Sequence, residues 1–314
     1  MSTCLSEMQK FVMEKKAAER FVIALGFFDG VHLGHAELIK MAKRRALEKN
    51  ATPAVLSFDV SPMSVVKGEP IPLIGSIQTR KDVIIRNFGI NEVIIQHFDK
   101  ALMTMPWEDF ILHLIERYST IHFVVGHDFN CGYRGQGTAR KIADFCGQRG
   151  IGCDIIPEVK LDAITVSSSH IRTLIAQGDI KSANTFLGHP YTISGVVRQG
   201  KKLGRTLGAP TINLELEMEL LLPQKGVYAT IVRTDGTELP AVTNVGTRPS
   251  FDDGEALTVE AFLLNYSGDL YGRALYIDFY DFLRPERVFA DANELASQIK
   301  QDAENARNAL AALN

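Results

Sequence analysis

Two histidines in a glycine-rich turn are the residues best placed for chemistry in this sequence. The run 26–35, GFFDGVHLGH, sets His32 and His35 three positions apart. It follows the apolar run Phe21–Leu25 and precedes a segment with helical apolar spacing, which predicts a strand, a tight turn and a helix start. Because a helix N-terminus offers unpaired N–H groups and a positive dipole end, such a turn favours an anion such as a triphosphate. Imidazoles there would spread donors over the charge that develops in phosphoryl or nucleotidyl transfer.

Two simpler interpretations of the histidine pair stay open. A His-x-x-His pair occurs in metal sites, but two ligands do not complete a zinc site, and no Cys or Glu lies nearby at a matching spacing. The turn could also be purely structural.

The string 26–35 resembles the GxFDGxHxGH signature of the HxGH nucleotidyltransferase superfamily, which implies catalytic roles for His32 and His35. The resemblance also implies ATP or phosphate contacts at four turn residues, Gly26, Phe28, Asp29 and Gly30.

A serine run before an apolar helix start is the second phosphate candidate. Residues 167–172, SSSHIR, place hydroxyls at a helix cap and an arginine one turn into the helix. A serine run in this position is often only an N-cap. Here it resembles the SSTxIR motif of the same superfamily, which implies that Ser168, Ser169 and Arg172 bind ATP phosphates. A guanidinium suits that role because it can bind phosphate through two parallel hydrogen bonds.

The loop 126–137 is partly basic and could be an ordinary surface turn. It resembles the GxDFRFGxxRxG loop of the bacterial bifunctional riboflavin kinase/FAD synthetases. The resemblance implies flavin contacts at Asp128, Phe129 and Asn130.

The second half carries a glycine-rich run, 195–214, that ends on two oxygen-bearing side chains. Its glycines permit close backbone approach, and the oxygens of Thr211 and Asn213 can reach a magnesium ion or a phosphate. Such a run alone is weak evidence, but it resembles the riboflavin kinase signature GxVxxGxxxGRxLGxPTAN. The resemblance implies Thr211 and Asn213 as metal-binding residues. It also implies ATP contacts at Gly200, Lys202, Gly204, Arg205, Gly208 and Pro210.

Three later strings match the same family. Residues 223–229 resemble its PxxGVYA motif, 244–251 its NIGxRPTF motif and 269–272 its DLYG motif. Arg248, in the second of these, is an implied flavin contact. The resemblance therefore extends over both halves of the chain.

Glu260 lies in an alternating apolar run, where a single Glu is commonly a solvent-facing charge. It occupies the VExHLL position of the riboflavin kinases. The resemblance implies that Glu260 is the catalytic base that accepts the proton of the ribityl 5′-hydroxyl.

The elements that must position these residues fall into two groups. Strand-like runs alternate with helical patterns in the first half, which predicts a parallel sheet covered on both faces, with ligands at the carboxyl ends of its strands. The predicted strands are 21–25, 54–58, 92–96, 121–125 and 153–156, and the predicted helices are 37–48, 79–87, 107–118 and 138–149. From about residue 191 the sequence predicts an antiparallel barrel or sandwich. Its strands are 192–197, 227–232, 258–264 and 275–282, followed by a helix over 291–313.

The expected fold class is therefore α/β plus β. With the resemblance, residues 1–186 are expected to form a Rossmann-like HxGH nucleotidyltransferase domain for FMN adenylyl transfer. Residues 187–314 are expected to form a small antiparallel β-barrel riboflavin kinase domain with a terminal helix.

The composition narrows the function classes. A formal net charge of −3 over 314 residues argues against a general nucleic-acid or membrane-surface binder. We expect no secretory signal and no membrane-spanning segment. The four cysteines show no CxxC spacing, which indicates free thiols and a cytoplasmic location. The expected partners are small molecules, with no nucleic acid and no membrane, and the sequence does not indicate the oligomeric state.

The resemblance implies a bifunctional enzyme that phosphorylates riboflavin to FMN and adenylylates FMN to FAD, with ATP as co-substrate and Mg²⁺ as cofactor. Two departures from the family pattern concern the adenylylating half. Residues 58–62 read FDVSP where relatives have F-[NDE]-PHP, and residues 128–132 read DFNCG where relatives have DFRFG. Two alternatives therefore stay open: a riboflavin kinase with a weakened or inactive FAD synthetase domain, and a non-catalytic flavin or nucleotide sensor.

Overall fold

The chain folds into two compact units in this computed structural model. The described residues are 19–198, 211–216, 220–250, 254–266 and 268–313, and within these the side chains at 248–250, 254–257 and 292 are not described. The first unit is Met1–Ile71 with Lys81–Thr165, and the second is Pro72–Arg80 with Val166–Asn314.

A five-stranded, all-parallel sheet organises the first unit, as predicted. The strands of this sheet are β1 (Phe21–Leu25), β2 (Thr52–Phe58), β3 (Glu92–Gln96), β4 (Thr120–Gly126) and β7 (Gly152–Ile156). Two short two-stranded sheets lie between and after them, one of β5 (Asn130–Cys131) and β6 (Gly137–Thr138), the other of β8 (Lys160–Leu161) and β9 (Ile164–Thr165). The order in the sheet is β3-β2-β1-β4-β7. The helices are α1 (Leu33–Glu48), α2 (Pro62–Lys67), α3 (Ile77–Phe88), which begins in the second unit's segment, α4 (Lys100–Thr104), α5 (Trp107–Tyr118) and α6 (Ala139–Gly147).

Strand β1 shows why the sheet strands are continuously apolar. Val22 belongs to the core on the face of the sheet where α1 packs, whereas Ile23 belongs to the core on the opposite face with α5 and α6. Both side chains are fully buried. Because successive strand residues point to opposite faces, a sheet covered on both faces needs apolar residues at every position.

The second unit contains a closed antiparallel barrel of six strands in the order β10-β11-β14-β13-β12-β15, which confirms the expected barrel. The strands are β10 (Tyr191–Arg198), β11 (Thr211–Leu216), β12 (Gly226–Thr234), β13 (Thr237–Ser250), β14 (Gly254–Leu263) and β15 (Ala274–Arg284). The helices of this unit are α7 (Ser168–Ala176), α8 (Ile180–Leu187) and the terminal α9 (Ala292–Ala311).

The terminal helix covers one part of the barrel's outer surface. Ala306 of α9 is fully buried in an apolar cluster with Val227 of β12 and Val242 of β13. Asp302 of α9, which is almost fully buried, accepts hydrogen bonds from Arg284 at the end of β15, with the shortest N–O distance 2.7 Å. Apolar packing and a buried ion pair together fix the helix on the barrel.

The predicted domain boundary at residue 186 differs from the division of the chain into compact units, which falls after Thr165. Helix α8 contributes to the difference, because the side-chain amide of Asn184 forms hydrogen bonds to two strands of the barrel. Its Nδ2 donates to the Phe279 carbonyl at 2.8 Å, and its Oδ1 accepts from the Tyr191 N–H at 2.7 Å. The boundary between functional domains stays a prediction.

None of the described helices has the features of a membrane-spanning segment. Over the part of the chain that the structure describes, no helix combines the length and the apolar character needed to cross a bilayer.

Candidate active sites

The histidine turn connects the central strand β1 to helix α1 through unusual backbone conformations. Phe28, Gly30 and Val31 all have positive φ, at 56°, 78° and 44°. The Val31 N–H closes the turn on the Phe28 carbonyl at 3.1 Å. A β-branched residue with positive φ is a true outlier, and such strain concentrates at functional sites. The turn therefore has the geometry of a binding loop.

His32 is the N-cap of α1, and its ring is held in place from two sides. Its Nδ1 accepts the His35 backbone N–H at 3.3 Å. The two imidazoles stack with centroids 3.7 Å apart and planes 12° from parallel. Because Nδ1 is an acceptor, the neutral ring carries its hydrogen on Nε2. The pair thus forms a fixed set of donors at the N-terminus of a helix.

Phe28 and Asp29, both predicted to contact ATP or phosphate, are buried in the turn. The Phe28 side chain is fully buried in the apolar core and lies 5.0 Å from the His35 ring. A Cβ at Gly26 would lie 3.2 Å from the Phe28 ring, so Gly26 leaves room for it. Asp29 is 1% exposed. Phe28 supports the turn from the core side, and phosphate binding by these residues stays a prediction.

A second imidazole site, which the sequence did not suggest, lies at the same sheet edge. His97 follows β3, and its Nδ1 lies 2.7 Å from Oδ2 of Asp59, which follows β2. Burial raises the pKa of Asp59, but hydrogen bonds from His97 and from the backbone at Phe98 and Val60 outweigh burial and lower it. The hydrogen bond to Asp59 raises the pKa of His97. The signal that could have identified His97 is its position at a strand's carboxyl end.

The loop with the predicted flavin contacts is anchored to the first unit. Phe129 is partly buried and packs against the core on the α5 and α6 side of the sheet, whereas Asp128 and Asn130 are exposed. Gly132 lies against the start of α5, because a Cβ there would be 2.6 Å from the Trp107 backbone nitrogen. The loop is held at its glycines and presents two polar residues, and flavin binding there stays a prediction.

The serine run begins helix α7, as predicted. Ser167 is the N-cap and accepts the His170 N–H at 3.3 Å, which leaves Ser168 and Ser169 in the first turn. Arg172 donates from Nε to the Pro72 carbonyl at 3.3 Å. Helix α7 belongs to the second compact unit. The predicted phosphate contacts at Ser168, Ser169 and Arg172 stay a prediction.

Glu260 faces the outside of the barrel between two asparagines. In the antiparallel ladders it lies directly opposite Asn213 of β11 and directly opposite Asn244 of β13. Directly paired residues point to the same face of a sheet. Thr211, two positions before Asn213, shares that face with Phe262, which packs in the cluster under α9. The barrel therefore brings Thr211, Asn213 and Glu260 together on one face, and their roles as metal-binding residues and base stay a prediction.

Asn244 connects this row to an exposed carboxylate. Its Nδ2 donates to Glu286 Oε1 at 3.2 Å. Glu286 lies after β15, in a segment without regular structure, and no sequence signal had drawn attention to it. The polar row on the barrel face is thus longer than predicted.

The donor chemistry of the barrel face fits magnesium. Thr211, Asn213 and Glu260 offer a hydroxyl, an amide carbonyl and a carboxylate, and Mg²⁺ prefers oxygen ligands from one or two protein groups together with substrate phosphates. In the described ranges no group of three or more His, Cys, Asp or Glu side chains forms a metal-binding cluster.

Several predicted contacts fall outside this description. Gly200, Lys202, Gly204, Arg205, Gly208 and Pro210 lie outside the described residues. Arg248 lies on β13, opposite Ala256, but its side chain is not described.

Two family models match the chain. The FAD synthetase model matches residues 14–170 and the riboflavin kinase model matches residues 187–310. A Bacillus subtilis (strain 168) protein named bifunctional riboflavin kinase/FMN adenylyltransferase is 35% identical over 296 residues, which cover 93% of this chain and 93% of that protein. A Listeria monocytogenes protein of the same name is 32% identical over 288 residues, with 91% of each chain covered.

The chain is also similar to a solved structure over nearly its whole length. It is titled as the crystal structure of a macrolide-efflux protein from Streptococcus pneumoniae. It matches with a TM-score of 0.81 at 28% identity and covers 93% of this chain and 95% of its own.

Proposed function

The chain belongs to the bifunctional riboflavin kinase/FMN adenylyltransferase family, and we propose that it converts riboflavin to FMN and FMN to FAD, with ATP in each step. The observation that supports this most strongly is one chain with two unlike sites. One is the stacked His32/His35 pair at a helix N-terminus, and the other is Glu260 opposite Asn213 on the barrel.

In the barrel, Glu260 acts as the base for phosphoryl transfer. It accepts the proton of the ribityl 5′-hydroxyl as that oxygen attacks the γ-phosphorus of ATP. The Thr211 hydroxyl and the Asn213 amide oxygen would hold Mg²⁺ together with the ATP phosphates. Bound magnesium neutralises the charge of those phosphates. Support comes from the ladder pairing that puts Asn213 and Glu260 side by side.

In the first unit, FMN adenylylation needs no protein nucleophile. The phosphate of FMN attacks the α-phosphorus of ATP and pyrophosphate leaves. The imidazole N–H groups of His32 and His35, with the N-terminus of α1, stabilise the charge on the reacting phosphorus and on the leaving group. Support comes from the way the stack and the cap bond fix both rings before substrate binds.

The cytoplasm is the proposed location. Cys131, Cys146 and Cys153 are free thiols, and burial raises the pKa of each, to about 11 for Cys146 and about 12 for the other two. Free thiols are typical of a reducing compartment.

A single assay tests the proposed function. The protein is incubated with riboflavin, ATP and Mg²⁺, and the flavins are separated by chromatography. We expect FMN followed by FAD. FMN without FAD would refute the adenylyl-transfer half and favour the kinase alternative, and unchanged riboflavin would refute the enzyme assignment and favour the sensor.

A further inference from the structure

Glu260 has a second direct neighbour that the proposed reaction does not yet use. On one side it pairs with Asn213, and on the other with Asn244 of β13. Asn244 is half-buried, and its side chain is on the same barrel face as Glu260. Asn244 therefore lies directly beside Glu260 on this face of the barrel.

A hydrogen bond fixes the orientation of Asn244. Its Nδ2 lies 3.2 Å from Glu286 Oε1. An ionised carboxylate only accepts hydrogen bonds, so the amide must present its NH₂ group to Glu286. The bond thus uses one N–H of Nδ2, and the second N–H of the same nitrogen is the donor that Asn244 can offer to the Glu260 carboxylate beside it.

Gly246 makes room for this contact. It lies two residues after Asn244 on β13, on the same face of the strand. A Cβ at Gly246 would lie 2.2 Å from Glu286 Oε1 and 3.0 Å from Asn244 Nδ2. Any side chain at this position would displace the Glu286 carboxylate from Asn244.

We propose that Glu286 and Asn244 are positioning residues of the kinase reaction, in which Glu286 anchors Asn244 and Asn244 holds Glu260 where it can accept the hydroxyl proton. The inference rests on the proposed function, since it requires Glu260 to be the base. A misplacement of about 1 Å can cost about 100-fold in rate. Because Glu286 is exposed, its removal affects kcat far more than folding.

The first test separates positioning from substrate binding. Glu286→Ala is expected to lower the kcat for riboflavin phosphorylation about tenfold, with KM for ATP and riboflavin within about twofold. Glu286→Gln is expected to retain most of kcat, because its amide oxygen can accept the same hydrogen bond. Unchanged kcat in Glu286→Ala would overturn the proposal, and so would a loss confined to KM.

A double-mutant cycle tests whether Glu286 acts through Asn244. Asn244→Ala and the double variant Asn244→Ala/Glu286→Ala are expected to show similar kcat values, because the second change removes a contact already lost. Independent effects that multiply would overturn the coupling.

Gly246→Ala is a steric probe that changes no polar group. The added methyl displaces Glu286, so its kcat is expected to fall as in Glu286→Ala, and combining the two changes should cause little further loss. Wild-type kcat in Gly246→Ala would contradict the proposal.

Controls separate this inference from the proposed function. Glu238→Ala removes an exposed carboxylate near the other end of the same strand, β13, and is expected to keep wild-type kcat. The FMN-to-FAD rate of each preparation and a thermal melt report folding. If the wild-type protein fails to phosphorylate riboflavin, the proposed function is wrong. If it succeeds and Glu286→Ala matches it, only the positioning inference is wrong.

Discussion

The histidine turn and the Glu260 face differ in what they offer to a phosphate reaction. The turn supplies fixed donors: two stacked imidazoles, a helix N-terminus and a backbone bent by three residues of positive φ. The barrel face supplies oxygen atoms from Thr211, Asn213 and Glu260 on neighbouring strands. The first arrangement suits the stabilisation of negative charge, and the second suits the cation and the proton acceptor that the proposed function requires.

The chemistry of the nucleophile accounts for this difference. In adenylyl transfer the attacking group is a phosphate, which is already an anion and needs no base. In riboflavin phosphorylation the attacking group is an alcohol, whose proton goes to Glu260 in the proposed function. Two reactions that both consume ATP can therefore require opposite side chains.

The largest expected effect comes from removing the base of the barrel site. Glu260→Gln should lower riboflavin phosphorylation by about 100-fold or more, because the isosteric amide cannot take the hydroxyl proton. Conversion of FMN to FAD should stay at the wild-type rate. Both rates can be measured by chromatography, with the exposed Glu238→Gln as control. Joint loss of both activities in folded protein would break the two-site comparison.

The reciprocal change affects the other site. His32→Asn should lower FMN adenylylation by about 100-fold, the usual effect of removing one transition-state donor, while riboflavin phosphorylation persists. Asn is a good N-cap, so the helix cap at α1 survives and the imidazole alone is removed. His113→Asn, at an exposed position on α5, serves as control. An adenylylation rate equal to that of the control would show that His32 only caps the helix.

A stability change should be confined to the barrel unit. Arg284→Ala leaves the almost fully buried Asp302 without its guanidinium partner and should lower the free energy of unfolding of this unit by about 3 kcal/mol. Denaturant unfolding measures the change. Arg307→Ala, which removes an exposed i,i+3 pair with Glu304, should cost less than about 0.5 kcal/mol. Equal effects would mean that the buried pair does not hold α9 to the barrel.

The smallest expected effect is on the ionisation of His97, which follows β3 and is hydrogen-bonded to Asp59. Asp59→Asn should lower the pKa of His97, because it removes the carboxylate that raises it. The raised pKa of His97 means that its contribution to stability is present below the unfolded-state value, about 6.5, and is lost as pH rises through the folded-state value. The lowered pKa of Asp59 means that its contribution is lost as pH falls. NMR titration of His97 provides the measurement, and an unchanged midpoint would contradict the pairing.

Local patterns predicted much of this fold. The bounds of β1, β3 and α5 match the sequence prediction residue for residue, because unbroken apolar runs or helical spacing mark them. Strand β13 was missed because Pro240, Asn244, Gly246 and Pro249 interrupt its apolar alternation. Pairing with β12 and β14 holds it in the barrel despite those residues.

The candidate sites divide in the same way. His32, His35, Thr211, Asn213 and Glu260 stand in contiguous motifs, so the sequence alone could propose them as site residues, and their roles stay predictions. Glu286 and His97 reach their partners, 42 and 38 positions away along the chain, only through tertiary structure. For His97 the neighbouring residues show only that it follows a strand, and for Glu286 they show no signal, so neither partner could be predicted from the local sequence.

Complementation between two single-site variants tests the two-site account most directly. Over the time in which the wild-type protein completes both steps, Glu260→Gln alone should leave nearly all riboflavin unchanged, and His32→Asn alone should accumulate FMN with little FAD. A mixture of the two should make FAD from riboflavin, ATP and Mg²⁺, because FMN released by the second variant is adenylylated by the first. A mixture that yields no FAD, from variants that each retain their one expected activity when assayed separately, would contradict the account.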